Sequence, residues 1–322
     1  MTYERFANPA SITQSWYCAG LSRDLGPGKT LGVELFGRRL ALYRGQDGVA
    51  RALDARCPHL GADLAQGTVV KDRLRCGFHH WTFSGEGACV ACPTAYGGAP
   101  RARARAWPVA ERYGALWVFA GPEPLFSLPD FPGTQDPAVL ALPAKAMRAH
   151  PHVVAMNGLD TEHFRVVHGM PFLEQPRLDQ PDAFRTRLTL RARLDGGGPL
   201  AATVRALSGG VLTAEFTTWG GNLAVIEGHA GALPVRVLFS HAPAAGGGSL
   251  SRTFLIAPSR GPRAWASLAG AALVMAHILR GDGDIMDGLE FRPGFAPADS
   301  ALSAFAAQVE AMPVLEPEAS RV

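Results

Sequence analysis

Two mixed pairs, Cys57-x-His59 and Cys76-x-x-His79, stand sixteen residues apart in CPHLGADLAQGTVVKDRLRCGFHHW, residues 57–81. Thiolate and imidazole at such spacing are metal ligands, and softness alone suits zinc as well as iron–sulfur. A second group lies farther along. NGLDTEHFRVVHG at 157–169 offers Asn157, Asp160, His163 and His168, and RGDGDIMDGLEF at 280–291 offers Asp282, Asp284 and Asp287. Two His with one carboxylate can hold an ion and leave positions open on it for a small molecule. Asp160 and His163 are three apart and share a helix face. His163 and His168 are five apart, about 140° round a regular helix. An unbroken α-helix cannot aim both at one ion, so a π-bulge or a helix end is predicted between them. If 280–291 is helical, Asp282 shares an inward stripe with Ile285, Met286 and Leu289, whereas Asp284 faces the more polar side with Asp287. Asp282 is the candidate third ligand, Asp284 the reserve; otherwise Asp282 simply caps the helix.

The spacing of the first group separates two metals. Structural zinc sites keep like with like, as C-x(2–4)-C and H-x(3–5)-H. Here each loop gives one Cys and one His, which matches a Rieske centre, where two Cys hold one iron of a [2Fe–2S] cluster and two His the other. Pro58, Gly61 and Gly77 suit loops pressed against a cluster. The stretch resembles the Rieske family, with Cys57, His59, Cys76 and His79 on its C-x-H and C-x-x-H pattern, CPHLGADL and HHWTF flanking it, and YGALWVF at 113–119 where such domains close. Ala62 stands where respiratory-type members carry a disulfide Cys, which favours the oxygenase or ferredoxin branch. His80 stands where many oxygenases have Gly after the last ligand. Cys89-x-x-Cys92 lacks a second such pair and is read as two structural thiols, and Cys18 as a small buried residue.

The second group resembles the D-x-x-H-x(4)-H pattern of Rieske non-haem iron oxygenases, and RGDGDIMDGLEF resembles their C-terminal carboxylate segment when Asp282 is placed first. The resemblance implies that His163, His168 and Asp282 bind mononuclear Fe(II). It implies that Asp160 bridges to a Rieske centre on the neighbouring subunit of a homotrimer, with Asn157 supporting. It also implies a terminal oxygenase component fed from NAD(P)H by a reductase, through a ferredoxin in some systems, using O2 to hydroxylate, demethylate or desaturate an organic substrate. The contrasting expectation is an electron-transfer protein with an inactive C-terminal domain. A zinc hydrolase is excluded, because Glu162 precedes His163 and the H-E-x-x-H order is absent.

These ligands need elements to hold them. Residues 11–121 read as short β-runs, with VELFGRRLALYRG a hairpin turning near Gly37-Arg38-Arg39. PRARARAW at 100–107 reads as a strand with a solvated basic face. Residues 184–194, 200–207, 211–217, 222–229 and 235–240 alternate like antiparallel strands, and helices are expected around 157–169 and from about 264. The predicted fold is α+β: an N-terminal all-β Rieske domain over 1–130, then an α+β catalytic domain over 131–322 whose antiparallel sheet is flanked by helices. Apolar residues are 47% of 322, enough for a full core, and a charge of +3 gives no nucleic-acid patch. AWASLAGAALVMAHIL at 264–279 is read as a buried or amphipathic helix rather than a membrane span. Five cysteines and no signal pattern at the N-terminus suit a reducing cytoplasm. Leu207, Val211, Phe216, Trp219, Val225 and Ile226 are expected to line a pocket for an apolar aromatic, terpenoid or polyketide-like molecule.

Overall fold

Residues 3–93, 98–134, 136–195 and 197–316 are described by a computed structural model. The chain divides into two units: Ser15–Leu125, and Phe126–Val322 together with Met1–Gln14. The lead-in, expected with the first domain, thus belongs to the second. Phe6 is 4% exposed and meets Phe305 and Phe291 edge-on at 5.9 and 5.5 Å. Glu310 accepts the backbone N–H groups of Glu4, Arg5 and Phe6. Those contacts come from residues some three hundred positions away, so no local pattern announces them.

The first unit is all β. Its strands are β1 Trp16–Leu21, β2 Thr30–Leu35, β3 Arg38–Arg44, β4 Ala50–Asp54, β5 Thr68–Val70, β6 Arg73–Arg75, β7 Thr82–Phe83, β8 Cys89–Ala91, β9 Ala106–Trp107, β10 Val109–Arg112 and β11 Ala115–Phe119. They form three antiparallel sheets, ordered β1-β11-β10, β2-β3-β4-β9 and β5-β6-β7-β8. The expected β2–β3 hairpin is present, and Leu35 pairs Arg38 across Phe36 and Gly37, whose φ values are 59° and 69°. Two consecutive positive φ angles are what a tight two-residue hairpin needs to match strand twist. Of the expected strand at 100–107 only β9 forms, with an isolated bridge between Ala88 and Arg103. Arg105 lies over the Trp107 ring at 3.9 Å, so one of its arginines covers an aromatic face instead of standing in solvent.

The second unit is built on one antiparallel sheet of eight strands: β12 Ala138–Ala141, β13 Lys145–Met147, β14 Arg177–Asp182, β15 Arg185–Arg193, β16 Val211–Trp219, β17 Leu223–Ala230, β18 Leu233–Pro243 and β19 Ser249–Ala257. The order is β12-β19-β18-β17-β16-β15-β14, with β13 also paired to β19. β15 and β16 alternate buried and half-buried residues along their length, the signature of a sheet with one covered face. The helices are α1 Pro151–Met156, α2 Thr161–Val166, α3 Gly198–Ser208, α4 Pro262–Gly288 and α5 Ser300–Ala311.

Two expectations are corrected here. Residues 200–207 are not a strand but most of α3. Pro in the first turn and Gly209 at φ 67° after the last are helix start and stop signals, and they outweigh the short apparent alternation. Residues 264–279 lie inside a 27-residue helix, α4, whose buried residues are only Leu268, Gly283 and Met286. By length and composition α4 could cross a bilayer, with a mean hydropathy of 1.3 in its most apolar 18 residues. Of the two readings, buried or amphipathic, the buried one does not hold, since Trp265 and Leu273 are 47% and 70% exposed. It packs on β19 through Leu268, which joins a core of Ala138, Val237 and Leu255.

Candidate metal centres

The first group sits on two loops, one after β4 and one between β6 and β7. The loops share one backbone design. Cys57 N–H donates to Ala62 O and Gly61 N–H donates back to Cys57 O; Cys76 N–H donates to Trp81 O and His80 N–H donates back to Cys76 O. The fifth residue of each loop takes a positive φ: 79° at Gly61 and 59° at His80. His80, singled out as a departure at the sequence level, therefore does a glycine's conformational job. His is among the few residues that adopt this region with some ease. Its own side chain is exposed.

The loops bring the four side chains together in pairs. The Cys57 and Cys76 thiols are 3% and 2% exposed and share one core cluster with Phe83, Leu64 and Tyr43. Burial pushes the Cys57 thiol up to about 11; N–H groups of His59 and Leu60 pull it down, and the neighbouring Cys76 pushes it further up. A buried thiol that resists ionisation, with a second buried thiol beside it, becomes a thiolate only with a cation to bind. The His59 and His79 rings meet edge-on at 4.7 Å, and His59 stacks on Trp81 at 4.3 Å and 9°. Two soft donors buried on one side and two imidazoles half-exposed on the other fit a [2Fe–2S] cluster with its His-bound iron outward. Leu60 and Phe78, each beside one of these His, are 67% and 63% exposed. Cys89 is buried and Cys92 donates to Gly98 O; both are free thiols.

The second group converges as well. α2 ends at Val166, and His168 N–H reaches His163 O at 3.4 Å, five residues back, while Val167 N–H takes the same oxygen at 2.9 Å. The helix end with its π-type bond supplies the rotation that a regular helix lacks. His163 Nε2 and His168 Nε2 lie 3.0 Å apart, and Asp282 Oδ1 lies 3.3 and 3.2 Å from them. The three donor atoms lie within 4.8 Å of one another and are the one such cluster found among the described residues. Separations of this size let one cation at about 2.1 Å touch all three. Burial pushes the Asp282 carboxyl up, yet the two imidazoles hold it down at about 2. Oδ1 is shielded from solvent and makes no well-formed hydrogen bond. A buried carboxylate aimed at two imidazoles, with that oxygen unsatisfied, suits a cation.

Asp284 is exposed and Asp287 accepts Arg148 N–H at 3.0 Å, so neither joins the cluster. The stripe that turns Asp282 inward differs in part from expectation. Met286 is buried, but Ile285 and Leu289 are 44% and 40% exposed, and Gly283 takes the inward place. Asn157 stands in a 3-10 turn after α1, with Nδ2 3.5 Å from Asp282 Oδ2 and 3.4 Å from His163 Nε2. Asp160 is the N-cap of α2, its Oδ1 accepting His163 N–H at 2.9 Å. Capping thus orients the helix that carries His163. A cleft of about 360 Å³ beside Asp160 is lined by Thr161, Glu162, Arg165, Phe172 and Asp299 among others.

An apolar wall backs the cluster. Phe164 and Phe216 are buried with ring centroids 4.8 Å apart, in a core that includes Met156, Leu188 and Met286. Of the expected pocket residues, Phe216 stands here, while Leu207 lies on α3 and is 69% exposed. One residue at this site carried no sequence signal: Lys145, which reaches Gly283 of α4 from β13, a strand distant in sequence.

Residues 15–102 match the Rieske [2Fe-2S] domain family. Among curated proteins, "Probable 3-ketosteroid-9-alpha-monooxygenase, oxygenase component" of Rhodococcus rhodochrous is 36% identical over 181 residues, 51% of this chain and 43% of that protein. Cholesterol 7-desaturase nvd of Bombyx mori is 35% identical over 169 residues, 51% of this chain and 37% of that protein. The chain thus spans less than half the length of these relatives. Apo dicamba monooxygenase superposes with a TM-score of 0.67 at 19% identity, covering 93% of this chain and 96% of that one. NdmB of Pseudomonas putida CBB5 gives 0.68 at 17% identity, covering 92% and 89%. These two likenesses show the fold of the whole chain. Residues 15–102 therefore belong to the Rieske [2Fe–2S] domain family, and the sheet-and-helix unit that follows has the fold of these solved structures.

Proposed function

We propose that this chain is a terminal oxygenase that oxidises a rigid apolar molecule of steroid type. The observation that carries the proposal is the convergence of His163, His168 and Asp282, contributed by α2, the turn after it and α4, in a chain that also holds a Rieske domain. An electron-carrying protein has no use for a second, separately built donor set. When bound, the cluster supplies single electrons and the mononuclear iron supplies O2 activation at open coordination positions.

The protein's part is placement. Cys57, His59, Cys76 and His79 would hold the cluster, and Trp81 keeps the His59 ring flat against it. Asn157 steadies Asp282, and Asp160 fixes the start of α2 and hence His163. Phe164 and Phe216 close the far side against water, which favours an apolar substrate. The steroid class is supported by relatives named for a 3-ketosteroid and for cholesterol. Leu60 and Phe78 form an apolar rim beside the outward imidazoles, suited to docking of a partner there. That partner is an NAD(P)H-dependent reductase, or a ferredoxin, at one stage and a neighbouring copy at another. In a homotrimer, the cleft beside Asp160 lets the carboxylate reach an imidazole of that copy's cluster and orient both rings.

The test is iron and acid-labile sulfide analysis, then O2 uptake with NADH, a surrogate reductase and a panel of steroids and smaller apolar rings. Two cluster irons plus one further iron, with steroid-dependent uptake, is the expected result. Cluster iron alone, with Asp282→Ala changing no metal content, would refute the proposal.

A further inference from the structure

α4 is an unpromising carrier for a ligand that must be placed to tenths of an ångström. It buries only Leu268, Gly283 and Met286. Near Asp282 it contains Gly281, Gly283 and Gly288, each a weaker helix former than Ala. Something other than core packing must hold this stretch in position.

Two contacts, one from β13 and one from the residue that follows it, do so. Lys145, on β13, donates from Nζ to Leu279 O at 3.4 Å, three residues before Asp282. Its side chain crosses α4 over Gly283, where any Cβ would overlap the ammonium group. Three residues farther along, Arg148 N–H donates to Asp287 Oδ1 at 3.0 Å, five residues after Asp282. β13 is itself paired to β19, with Lys145 opposite Ser251 and Met147 opposite Ser249. Residues 279–287 are therefore fastened to the sheet on both sides of Asp282.

We propose that Lys145 is a positioning residue for the metal site: lying across the bare face of Gly283, it sets the height and rotation of the α4 turn that delivers Asp282 to His163 and His168. The inference rests on the reading of those three residues as a metal site. Gly283 is part of the device, because only a residue without a side chain leaves the lysine its path. The overlap at Gly283 is with the free end of a flexible chain, so Gly283→Ala would displace the amine and leave the helix standing.

The test separates positioning from stability. The full-length protein with its cluster intact is stripped of mononuclear metal with a chelator. Co(II) is then titrated by calorimetry, with the Co(II) EPR signal as a record of its ligand geometry. Lys145→Met should weaken Co(II) binding about tenfold, the lower end of the effect of losing a supporting contact. Gly283→Ala should weaken it similarly while its thermal midpoint holds or rises, since Ala favours helix over Gly. In an Asp282→Ala background, Lys145→Met should cost nothing more. Wild-type binding in Lys145→Met, unchanged affinity in Gly283→Ala, or a loss that persists without Asp282 would each overturn the inference while the site stands. A wild-type protein that takes up no Co(II) would overturn the site and the inference together.

Discussion

Lowering the pH from 7 to 5 should destabilise the second unit through histidines buried as neutral rings, and His241 shows the size of the effect. It lies on β18, 4% exposed, directly across from Ser251 on β19, with Nδ1 2.7 Å from Ser251 Oγ. Burial holds its pKa down at about 3. The folded pKa is below the unfolded value of about 6.5, so the contribution is complete above pH 6.5 and is lost as pH falls toward 3. At pH 5 the unfolded chain has taken the proton and the folded chain has not. The cost is about 1.5 pH units at about 1.36 kcal/mol each, or about 2 kcal/mol. His150, held down at about 4 by burial, adds about the same at this pH because the unfolded value sets the limit, and His152, pushed well down by burial and then by His150, acts in the same direction. His241 and His150 together, about 4 kcal/mol, are a large fraction of the stability of an ordinary domain. Urea unfolding at pH 7, 6 and 5, followed by far-UV circular dichroism, would measure it. His241→Asn keeps an acceptor for Ser251 but cannot take a proton. Whatever its stability at pH 7, its loss between pH 7 and 5 should be about 2 kcal/mol smaller than that of the wild type. Parallel curves for the two proteins would refute the argument.

Four further outcomes are expected. Asp282→Ala should lose mononuclear metal and keep the [2Fe–2S] spectrum, whereas Asp284→Ala, at an exposed position, should keep both by metal analysis. Asp160→Ala removes the cap of α2 and should cost about 1 kcal/mol in thermal unfolding; a turnover loss far greater than that supports the bridging role, and a modest one assigns it to capping alone. His59→Cys should move the visible spectrum toward an all-thiolate cluster or prevent assembly, because imidazole sets the raised potential. His80→Gly should stay within about 0.5 kcal/mol of wild type by denaturation, while His80→Val should cost about 1–2 kcal/mol, since a β-branched residue resists the left-handed region.

The ligand pairs of the first group could be read in the sequence because each pair lies within one tight loop. Ligand type and spacing within four residues leave a short chain few ways to present its donors. The break between His163 and His168 was predictable on the same footing, as 3.6 residues per turn forbids the alternative. The β2–β3 hairpin was likewise announced by Gly37-Arg38-Arg39 between two apolar runs, although the turn falls at Phe36-Gly37 and Arg38 and Arg39 already belong to β3. Misjudged segments were those where two local signals competed, as in α3, where a Gly-Pro start and a Gly-Gly stop prevailed over an alternating composition.

What the sequence by itself offered, then, was chemistry: which donors exist, and a spacing that groups four in one candidate centre and two His with a carboxylate in another. Which carboxylate completes the second centre was decided only by tertiary structure. Asp282, Asp284 and Asp287 lie within about one and a half helical turns, and helical periodicity alone narrows the choice without fixing how α4 is rotated against the sheet. That rotation depends on Gly283 receiving Lys145 and on Asp287 receiving Arg148 N–H, contacts spanning more than 130 residues. The docking of Phe6 among Phe291, His152 and Phe305 is of the same kind. Such contacts form only once the sheet has brought distant segments together, so their stabilisation is a property of packing and not of any local pattern.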